Sequence, residues 1–319
     1  MGLAILGLGR VAEMHAQAIL GFRPNAFAGG WNRTLERAEV FCKRFGGKAY
    51  PTLEELLADQ SIDSVLVSTS TETHFELARH ALEAGKHVLL EKPLCQTSAQ
   101  IAELAEVARS TSRICMPSHN YIYAPSMRRI RDRISSGDLG KVVSYWAFFN
   151  NRHPADIGLP DLVMRELMVH HAYSMLFFLG RPSSVVATAS NVYFQDPGAP
   201  DQIMITAEFD DGAIANLWGS FSTDDLTREP WSVYFKILGT RGSAMAPWDL
   251  VKFGSEPEPL WDDSSYRDSF LYTQQYFLDE CVAKGAEPLS TLDDAYAAAR
   301  VLDAARQSLN EGARILLGY

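Results

Sequence analysis

A glycine-rich turn near the N-terminus has the spacing of a dinucleotide-binding loop. Gly7 would permit a tight turn, Gly9 would let a pyrophosphate approach the backbone, and Ala12 would allow the next helix to pack closely. The amides at the start of that helix would face the anion. An ordinary tight turn is the alternative, but the motif lies between an apolar strand pattern and a helical pattern. The predicted cofactor-binding residues of this loop are Gly7, Gly9, Arg10 and Val11.

The second predicted strand ends at Asn32, where NAD-selective domains usually place an acidic residue that binds both ribose hydroxyls. A carboxylate would repel the 2′-phosphate of NADP, whereas a neutral amide followed by Arg33 offers donors and a positive charge to it. We therefore expect the cofactor to be NADP, with NAD as the second choice. The alternative is that Thr34 only caps the next helix while Arg33 is solvated.

A long helical pattern from about Leu162 to Leu179 carries side chains that could exchange protons. At 100° per residue, Glu166, His170 and Tyr173 form one narrow stripe opposite an apolar face. Imidazole titrates nearest to neutral pH, so His170 is a candidate general acid or base. Glu166 is a candidate catalytic partner one turn earlier. A purely structural His170 is the alternative.

The neighbouring His171 falls within the apolar face of the same helix, which predicts a buried core histidine. A zinc site built from Glu166, His170 and His171 is a weak alternative, because adjacent side chains point about 100° apart and converge poorly on one metal. We predict no metal site.

The elements that would position these residues follow two different patterns of apolar and polar residues. The first pattern occupies residues 1–118. Short apolar runs alternate there with helical patterns, which predicts a parallel sheet with helices on both faces. Ligands bind such sheets beyond the carboxyl ends of the strands. The first helix is expected to bury Val11, Met14, Ala18 and Ile19. We therefore predict an α/β Rossmann domain over residues 1–118.

Residues 119–319 follow the second pattern and are predicted to form an α+β domain. Ile203 to Phe209 alternates apolar and polar residues, and the turn Asp210-Asp211-Gly212 leads into a similar run from Ala213 to Phe221. This is the pattern of an antiparallel hairpin. Helical patterns close the chain, and the last of them, at about 291–309, is a candidate to pack back on the Rossmann domain.

The composition argues against several classes of function. The formal net charge is −10 and no basic run counters it, so we expect no nucleic-acid partner. The sequence contains no run of about 18 apolar residues and no signal-peptide pattern, which predicts a cytoplasmic protein with no membrane partner. The four cysteines show no C-x-x-C spacing, so neither a disulfide framework nor a zinc knot is indicated.

Several motifs together make the chain resemble the glucose-fructose oxidoreductase, inositol dehydrogenase and rhizopine catabolism family, called Gfo/Idh/MocA. The resemblance covers nearly the whole length, and its most specific element is Glu91-Lys92-Pro93. The resemblance implies an open, predominantly antiparallel sheet in the second domain, and oxidation or reduction of sugar or cyclitol substrates with NAD(P). It also implies a homodimer or homotetramer. The other matching segments are Gly7 to Ala12, His15, Val67 to His74, Asp138 to Val142 and Gly239 to Ser243.

The resemblance also implies roles for individual residues. Lys92 is assigned to the substrate oxygen and the nicotinamide ribose, where an ammonium would stabilise developing alkoxide charge. An ordinary surface lysine is the alternative. Tyr121 is a candidate substrate-binding residue, with plain packing as the alternative, and His15 could pack the first helix or serve function. The other residues assigned to the cofactor are Thr69, His74 and Glu91.

The long helix departs from the family pattern at three positions. The family usually has Asp, Gly and Asp where this chain has Glu166, Met168 and Tyr173, while His170 is retained. We expect an NAD(P)-dependent dehydrogenase or reductase, with Lys92 and His170 at the reacting oxygen and Tyr173 in contact with the substrate. The alternative is a non-catalytic NAD(P)-binding regulator on the same fold.

Overall fold

A computed structural model of the chain describes residues 1–157, 159, 161–223, 231–247 and 264–318. The chain divides into two compact units. The first unit comprises Met1–Ala124 and Arg267–Tyr296, and the second unit comprises Pro125–Tyr266 and Ala297–Tyr319. Each unit is built around its own sheet.

The sheet of the first unit has six parallel strands in the order β3-β2-β1-β4-β5-β6. The central strands β1 and β4 are buried along their whole length, as expected for a sheet covered on both faces. The predicted Rossmann fold is therefore confirmed. The strands are β1 (Leu3–Leu6), β2 (Phe27–Trp31), β3 (Lys48–Tyr50), β4 (Ser64–Val67), β5 (His87–Leu90) and β6 (Cys115–Pro117).

Five helices connect these strands, and local sequence signals set their ends. The last of them starts with a capping box, in which the Thr97 hydroxyl accepts from Gln100 N and the Gln100 side chain accepts from Thr97 N. The helix before β5 is followed by Gly85 at a φ of 78°, which favours glycine. The helices are α1 (Arg10–Phe22), α2 (Leu35–Phe45), α3 (Leu53–Ala58), α4 (Thr71–Glu83) and α5 (Ser98–Thr111).

The predicted buried face of α1 was wrong for three of its four residues. Val11, Met14 and Ala18 are only partly buried, whereas Ile19 is buried as expected. The core face consists instead of Ala12, His15, Ala16 and Ile19. The small alanines let the helix approach the sheet closely. His15 is buried because Glu91 and Gln274 bind its ring, and apolar periodicity takes no account of such polar contacts.

In the described part of the second unit, the sheet has seven strands in the order β12-β11-β7-β10-β9-β8-β13. Every neighbouring pair is antiparallel except β7 with β10, so the predicted, predominantly antiparallel sheet is confirmed. The hairpin at Asp210-Asp211-Gly212 joins β9 to β10 as predicted. The strands are β7 (Val142–Asn151), β8 (Ser184–Ser190), β9 (Gln202–Glu208), β10 (Ile214–Ser220), β11 (Trp231–Gly239), β12 (Ser243–Pro247) and β13 (Ile315–Leu316).

The helix that carries His170 begins differently from the prediction. Met164–Met168 forms a π-helical turn, and the regular helix α7 covers only Val169–Leu179. A π turn has more residues per turn than an α-helix, so the 100° phase does not extend from His170 back to Glu166. The other α-helices of the described residues are α6 (Pro125–Ser135), α8 (Ser264–Gln275), which continues as a π turn over Tyr276–Val282, and α9 (Leu292–Glu311).

Among the described residues, no helix is both long enough and apolar enough to cross a membrane.

Candidate functional site

The glycine turn after β1 has the geometry of an anion-binding loop. Gly7 adopts a φ of 87°, and a Cβ there would lie 2.5 Å from Thr69 Cγ2, so the position requires glycine. A Cβ on Gly9 would meet no described atom within 4 Å. Gly9 is the N-cap of α1, and no side chain in the described part of the protein caps this end. The first amides of α1 are therefore available to an anion, with open space in front of them.

Asn32 and Arg33 lie at the carboxyl end of β2. The side-chain oxygen of Asn32 accepts a hydrogen bond from Thr34 N at 3.0 Å, which assigns the carbonyl and leaves the amide N–H groups of Asn32 for other partners. Thr34 occupies the N-cap position of α2, but its own side chain makes no capping bond. Arg33 is exposed and makes no ion pair within the described ranges.

His74 joins the loops that follow β4 and β5. Its ring is buried, with Nε2 at 3.0 Å from the Thr69 carbonyl and Nδ1 at 3.0 Å from the Pro93 carbonyl. The Leu94 carbonyl is 3.2 Å from Nδ1. The peptide bond between Lys92 and Pro93 is cis. His74 therefore links the Thr69 loop to the loop that carries Lys92.

Glu91 is the centre of a buried hydrogen-bond network directly before Lys92. Its Oε1 lies 2.8 Å from His15 Nε2 and accepts a bond of 2.5 Å from the Ser118 hydroxyl. Its Oε2 accepts from the backbone N–H of Lys92 at 3.1 Å. Gln274 Nε2 lies 2.8 Å from the other ring nitrogen of His15. The network joins β5, β6, α1 and α8 around the residue that precedes Lys92.

Two opposing effects act on the pKa of Glu91. Burial raises the pKa of this carboxyl, but the hydrogen bonds from His15 and Ser118 and the charges of His15 and Lys92 outweigh burial and lower it. Glu91 is therefore held as a carboxylate that orients the Lys92 main chain. Sequence reasoning assigned Glu91 only through the family resemblance and did not identify Ser118 or Gln274, which lie far away along the chain.

Tyr121 lies in a short 3₁₀ turn, Asn120–Tyr123, and its side chain is buried. The preceding His119 is also buried, with Nδ1 at 2.7 Å from the Ser290 hydroxyl, and burial lowers the pKa of its ring to about 3. The Asn120 amide donates to the Ser269 hydroxyl at 2.8 Å. This segment is thus anchored by residues 119 and 120 within the first unit.

In the second unit, His170 and Tyr173 form a buried pair on α7. His170 Nδ1 lies 2.6 Å from the Tyr173 hydroxyl, and the two rings meet edge to face. The spacing of three residues brings their side chains to the same face, as the helical pattern predicted. A bond at Nδ1 fixes the ring orientation and leaves Nε2 as the nitrogen directed away from Tyr173.

His171 is a core histidine, as predicted. It is fully buried, its Nε2 lies 2.9 Å from the Trp218 carbonyl, and burial lowers the pKa of its ring to about 4. The ring is therefore neutral at pH 7 and donates from Nε2. Among the described residues, no group of three or more His, Cys, Asp or Glu side chains is arranged to hold a metal ion.

Glu166 is half-buried in the π turn and interacts electrostatically with His153. Burial lowers the pKa of His153 more than the Glu166 charge raises it. His153 follows β7, and its ring packs edge to face on Phe221 at 4.2 Å between centroids. Sequence reasoning did not single out His153. Its only local signal is a polar stretch, Asn-Arg-His-Pro, directly after an apolar strand.

The predicted site residues thus fall into two groups. The first unit holds the glycine turn, the loops with Asn32, Thr69 and Lys92 at the carboxyl ends of the strands of one sheet, and His74 in the first turn of α4. The second unit holds Glu166, His170 and Tyr173 on consecutive turns.

Comparisons with known proteins identify relatives of both units. Residues 1–119 match an oxidoreductase family with an NAD-binding Rossmann fold, and residues 127–245 match the GFO/IDH/MocA C-terminal domain. The uncharacterized oxidoreductase YhhX of Escherichia coli (strain K12) is 36% identical over 273 residues, which cover 82% of this chain and 74% of that protein. The scyllo-inositol 2-dehydrogenase (NAD(+)) of Bacillus subtilis (strain 168) is 26% identical, with coverage of 98% and 95%.

A solved structure shows the same fold. The myo-inositol dehydrogenase from Corynebacterium glutamicum ATCC 13032 superposes with a TM-score of 0.87 at 20% identity, with coverage of 100% of this chain and 99% of that one.

Proposed function

Because the chain belongs to the Gfo/Idh/MocA family of oxidoreductases, we propose that it transfers a hydride between a nicotinamide cofactor and a sugar, cyclitol or related hydroxyl or carbonyl compound. The observation that carries this proposal is the glycine turn, where the amides of α1 lack a side-chain cap and the space before Gly9 is open. These features fit a pyrophosphate. The name of the Bacillus subtilis relative supports a cyclitol-like substrate.

In the proposed mechanism the nicotinamide, when bound, accepts or supplies the hydride. The Lys92 ammonium stabilises negative charge on the reacting oxygen, and His170 exchanges a proton with that oxygen. Glu91 positions Lys92 through the main-chain bond at 3.1 Å, and Tyr173 orients His170 through the bond at 2.6 Å. His74 links the loops of Thr69 and Lys92 on the cofactor side, and Tyr121 and Tyr173 are the proposed substrate-binding residues.

A screen of sugars, inositols, keto-sugars and dihydrodiols with NADP and NAD, in both directions, tests the proposal. We expect reduction of the cofactor or oxidation of its reduced form with at least one polyhydroxylated compound. Tight cofactor binding without turnover across the panel would favour the regulator instead. The carboxylate, ammonium and imidazole groups retained at positions 91, 92 and 170 favour the enzyme, because a cofactor sensor has no evident need for all of them.

We further propose that NADP(H) binds more tightly than NAD(H), because Asn32 offers amide donors and Arg33 offers an uncommitted guanidinium. Arg33→Ala should therefore raise the dissociation constant of NADP roughly 10- to 150-fold, the equivalent of a hydrogen bond to a charged group. The dissociation constant of NAD should change little. Fluorescence titration of both reduced cofactors measures the effect.

Arg37→Ala is the matched control for Arg33→Ala, since Arg37 is an exposed arginine four residues further along, in the first turn of α2. Its NADP affinity should equal that of the wild type. Equal affinity of the wild-type protein for NADP and NAD would contradict the preference that we propose.

We also propose that the protein assembles as a homodimer or homotetramer through the outer face of the second sheet. Trp146, Met204 and Ile214 are each more than 40% exposed on that face, and Phe148 stacks on Trp218 with centroids 4.4 Å apart. Exposed apolar and aromatic side chains on one face of a sheet are a feature of protein–protein interfaces. The chain resembles a family whose members assemble.

A charge placed on this face should therefore dissociate the oligomer. Trp146→Glu is expected to reduce the solution mass, measured by light scattering after size-exclusion chromatography, to that of one chain of 35.4 kDa. Val192→Glu is the control, because Val192 is 77% exposed and lies outside the strands. A monomeric wild type, or an unchanged mass for Trp146→Glu, would refute the proposed interface.

The proposal places the enzyme in the cytoplasm. All four cysteines are buried as free thiols, and burial raises the pKa of Cys95 to about 12. Thiols in this state fit a reducing compartment.

A further inference from the structure

We infer that the first unit contains a second small-molecule site, which binds an oxyanion. This site lies at the amino ends of the strands, at the opposite end of the sheet from the glycine turn. A cavity of about 430 Å³ lies where β4 and β5 begin. Because the six strands are parallel, their amino ends all lie at this end of the sheet, whereas the glycine turn follows the carboxyl end of β1. The volume falls in the range of about 300–1,000 Å³ that is typical of small-molecule sites. Its polar lining residues include Asp63, Lys86, His87 and Arg113.

Arg113 supplies a positive charge that the protein itself does not neutralise. It is exposed, and no carboxylate of the described residues forms an ion pair with it. Its guanidinium lies over Gly85, where a Cβ would stand 3.8 Å from Nη2. A guanidinium presents five donors in a planar fork that matches the oxygens of a carboxylate or phosphate. Arg113 can therefore bind an oxyanion in a bidentate manner.

His87 supplies a hydrogen-bond donor whose position is fixed. Its Nδ1 accepts from the backbone N–H of Ile114 at 3.1 Å, so the neutral ring must carry its proton on Nε2. Burial, and then the Arg113 charge, lower the pKa of His87, so the ring is neutral at pH 7. Within the described ranges, Nε2 has no protein partner. Arg113 lies close enough for its charge to lower the pKa of His87. The guanidinium and the Nε2–H group can therefore bind the same ligand.

Lys86 adds a buried ammonium to the same wall. Its Nζ donates to the carbonyls of Asp59 and Ile62, at 2.9 and 2.8 Å. These are neutral acceptors, so the bonds satisfy two of its three donors and leave its charge in place. Lys86 therefore contributes a positive potential to the cavity.

The one acidic side chain of the lining is already engaged. Asp63 Oδ2 accepts from Gly2 N at 2.7 Å and lies 3.5 Å from the Met1 amine. Its negative charge is thus offset locally, which leaves the charges of Lys86 and Arg113 in excess. The cavity therefore selects an anion over a cation, and a phosphate ester or a carboxylate carries the group that Arg113 and His87 would bind.

Calorimetric titration with inorganic phosphate and, separately, with succinate tests the site. The protein is first saturated with NADPH or NADH, whichever binds more tightly, so that anion binding at the glycine turn is blocked. We expect one phosphate or one succinate per chain. Binding of phosphate alone indicates a phosphate ester as the natural ligand, and binding of succinate alone indicates a carboxylate.

Arg113→Gln should weaken that binding roughly 10- to 150-fold, the range for loss of a hydrogen bond to a charged group. His87→Phe should weaken it as well. Arg109→Gln is the control, because Arg109 is exposed on α5 and paired with Glu106; its affinity should match the wild type. Absence of saturable binding for both probes, or equal binding by Arg113→Gln, would overturn the inference. Neither result depends on hydride transfer, so the site and the proposed function fail separately.

Discussion

Replacing Lys92 with methionine is expected to reduce turnover roughly 10²–10³-fold, the usual loss for a group that stabilises charge in the transition state. Methionine keeps most of the side-chain volume but removes the ammonium. The fold should persist, because the hydrogen bond from the main-chain N–H of Lys92 to Glu91 does not depend on the side chain at position 92. Cofactor affinity should also largely persist, because the pyrophosphate would be held at Gly7 and Gly9.

The measurement compares kcat and cofactor affinity for Lys92→Met, the wild type and Lys284→Met. Lys284 is an exposed lysine of the same unit that pairs with Glu280, so its substitution should leave both quantities unchanged. If Lys92→Met kept more than a tenth of the wild-type activity, the loss would correspond to less than about 1.4 kcal/mol. A loss of that size is too small for the role that we propose.

Replacing His170 with alanine is expected to lower kcat by roughly 10²–10⁴-fold, the range for a general acid or base. In the oxidation direction the ring must start neutral to accept the proton. The rate of the wild-type enzyme should therefore rise with pH as the imidazole loses its proton, and then level off. The alanine variant should lose this rise, which a pH profile of kcat measures directly.

Variants of the neighbouring residues separate proton transfer from packing. Tyr173→Phe removes the hydroxyl at 2.6 Å from Nδ1 but keeps the ring, so it should cost about 2- to 10-fold in kcat, as for one neutral hydrogen bond. Glu166→Gln should have a smaller effect on rate and should move the rise to lower pH, because an anion that favours the imidazolium is removed. His80→Ala, an exposed histidine on α4, is the control.

A different outcome would assign His170 to substrate binding. If His170→Ala raised KM while kcat and the pH profile stayed as in the wild type, another group would handle the proton. His153 would then be the next candidate for proton transfer, since it lies close enough to Glu166 for that charge to affect its pKa.

The parts of the site that sequence reasoning predicted depend on short stretches of chain. The glycine turn requires a positive φ at Gly7 and open space at Gly9. The sequence indicates both requirements, because glycines stand at these two positions between a predicted strand and a predicted helix. The hairpin between β9 and β10 and the buried His171 likewise follow from patterns of a few residues. Local backbone preferences and a repeating apolar face act over that distance, so the order of residues is sufficient.

Tertiary structure alone decided which polar groups meet. Glu91 binds His15, 76 residues earlier, and Gln274 reaches His15 from 259 residues away. No local pattern specifies such pairs, because they depend on strand order and on which helix packs against which strand. The same holds for His87 and Arg113, whose common cavity exists because β5 and β6 begin side by side. The sequence by itself determined the two sheets and the cofactor turn, since these arise from periodicity and glycine. The buried face of α1, the π turn before His170 and the partners of Glu91 were decided by packing, because a buried polar group takes whichever partner the fold brings within hydrogen-bond distance.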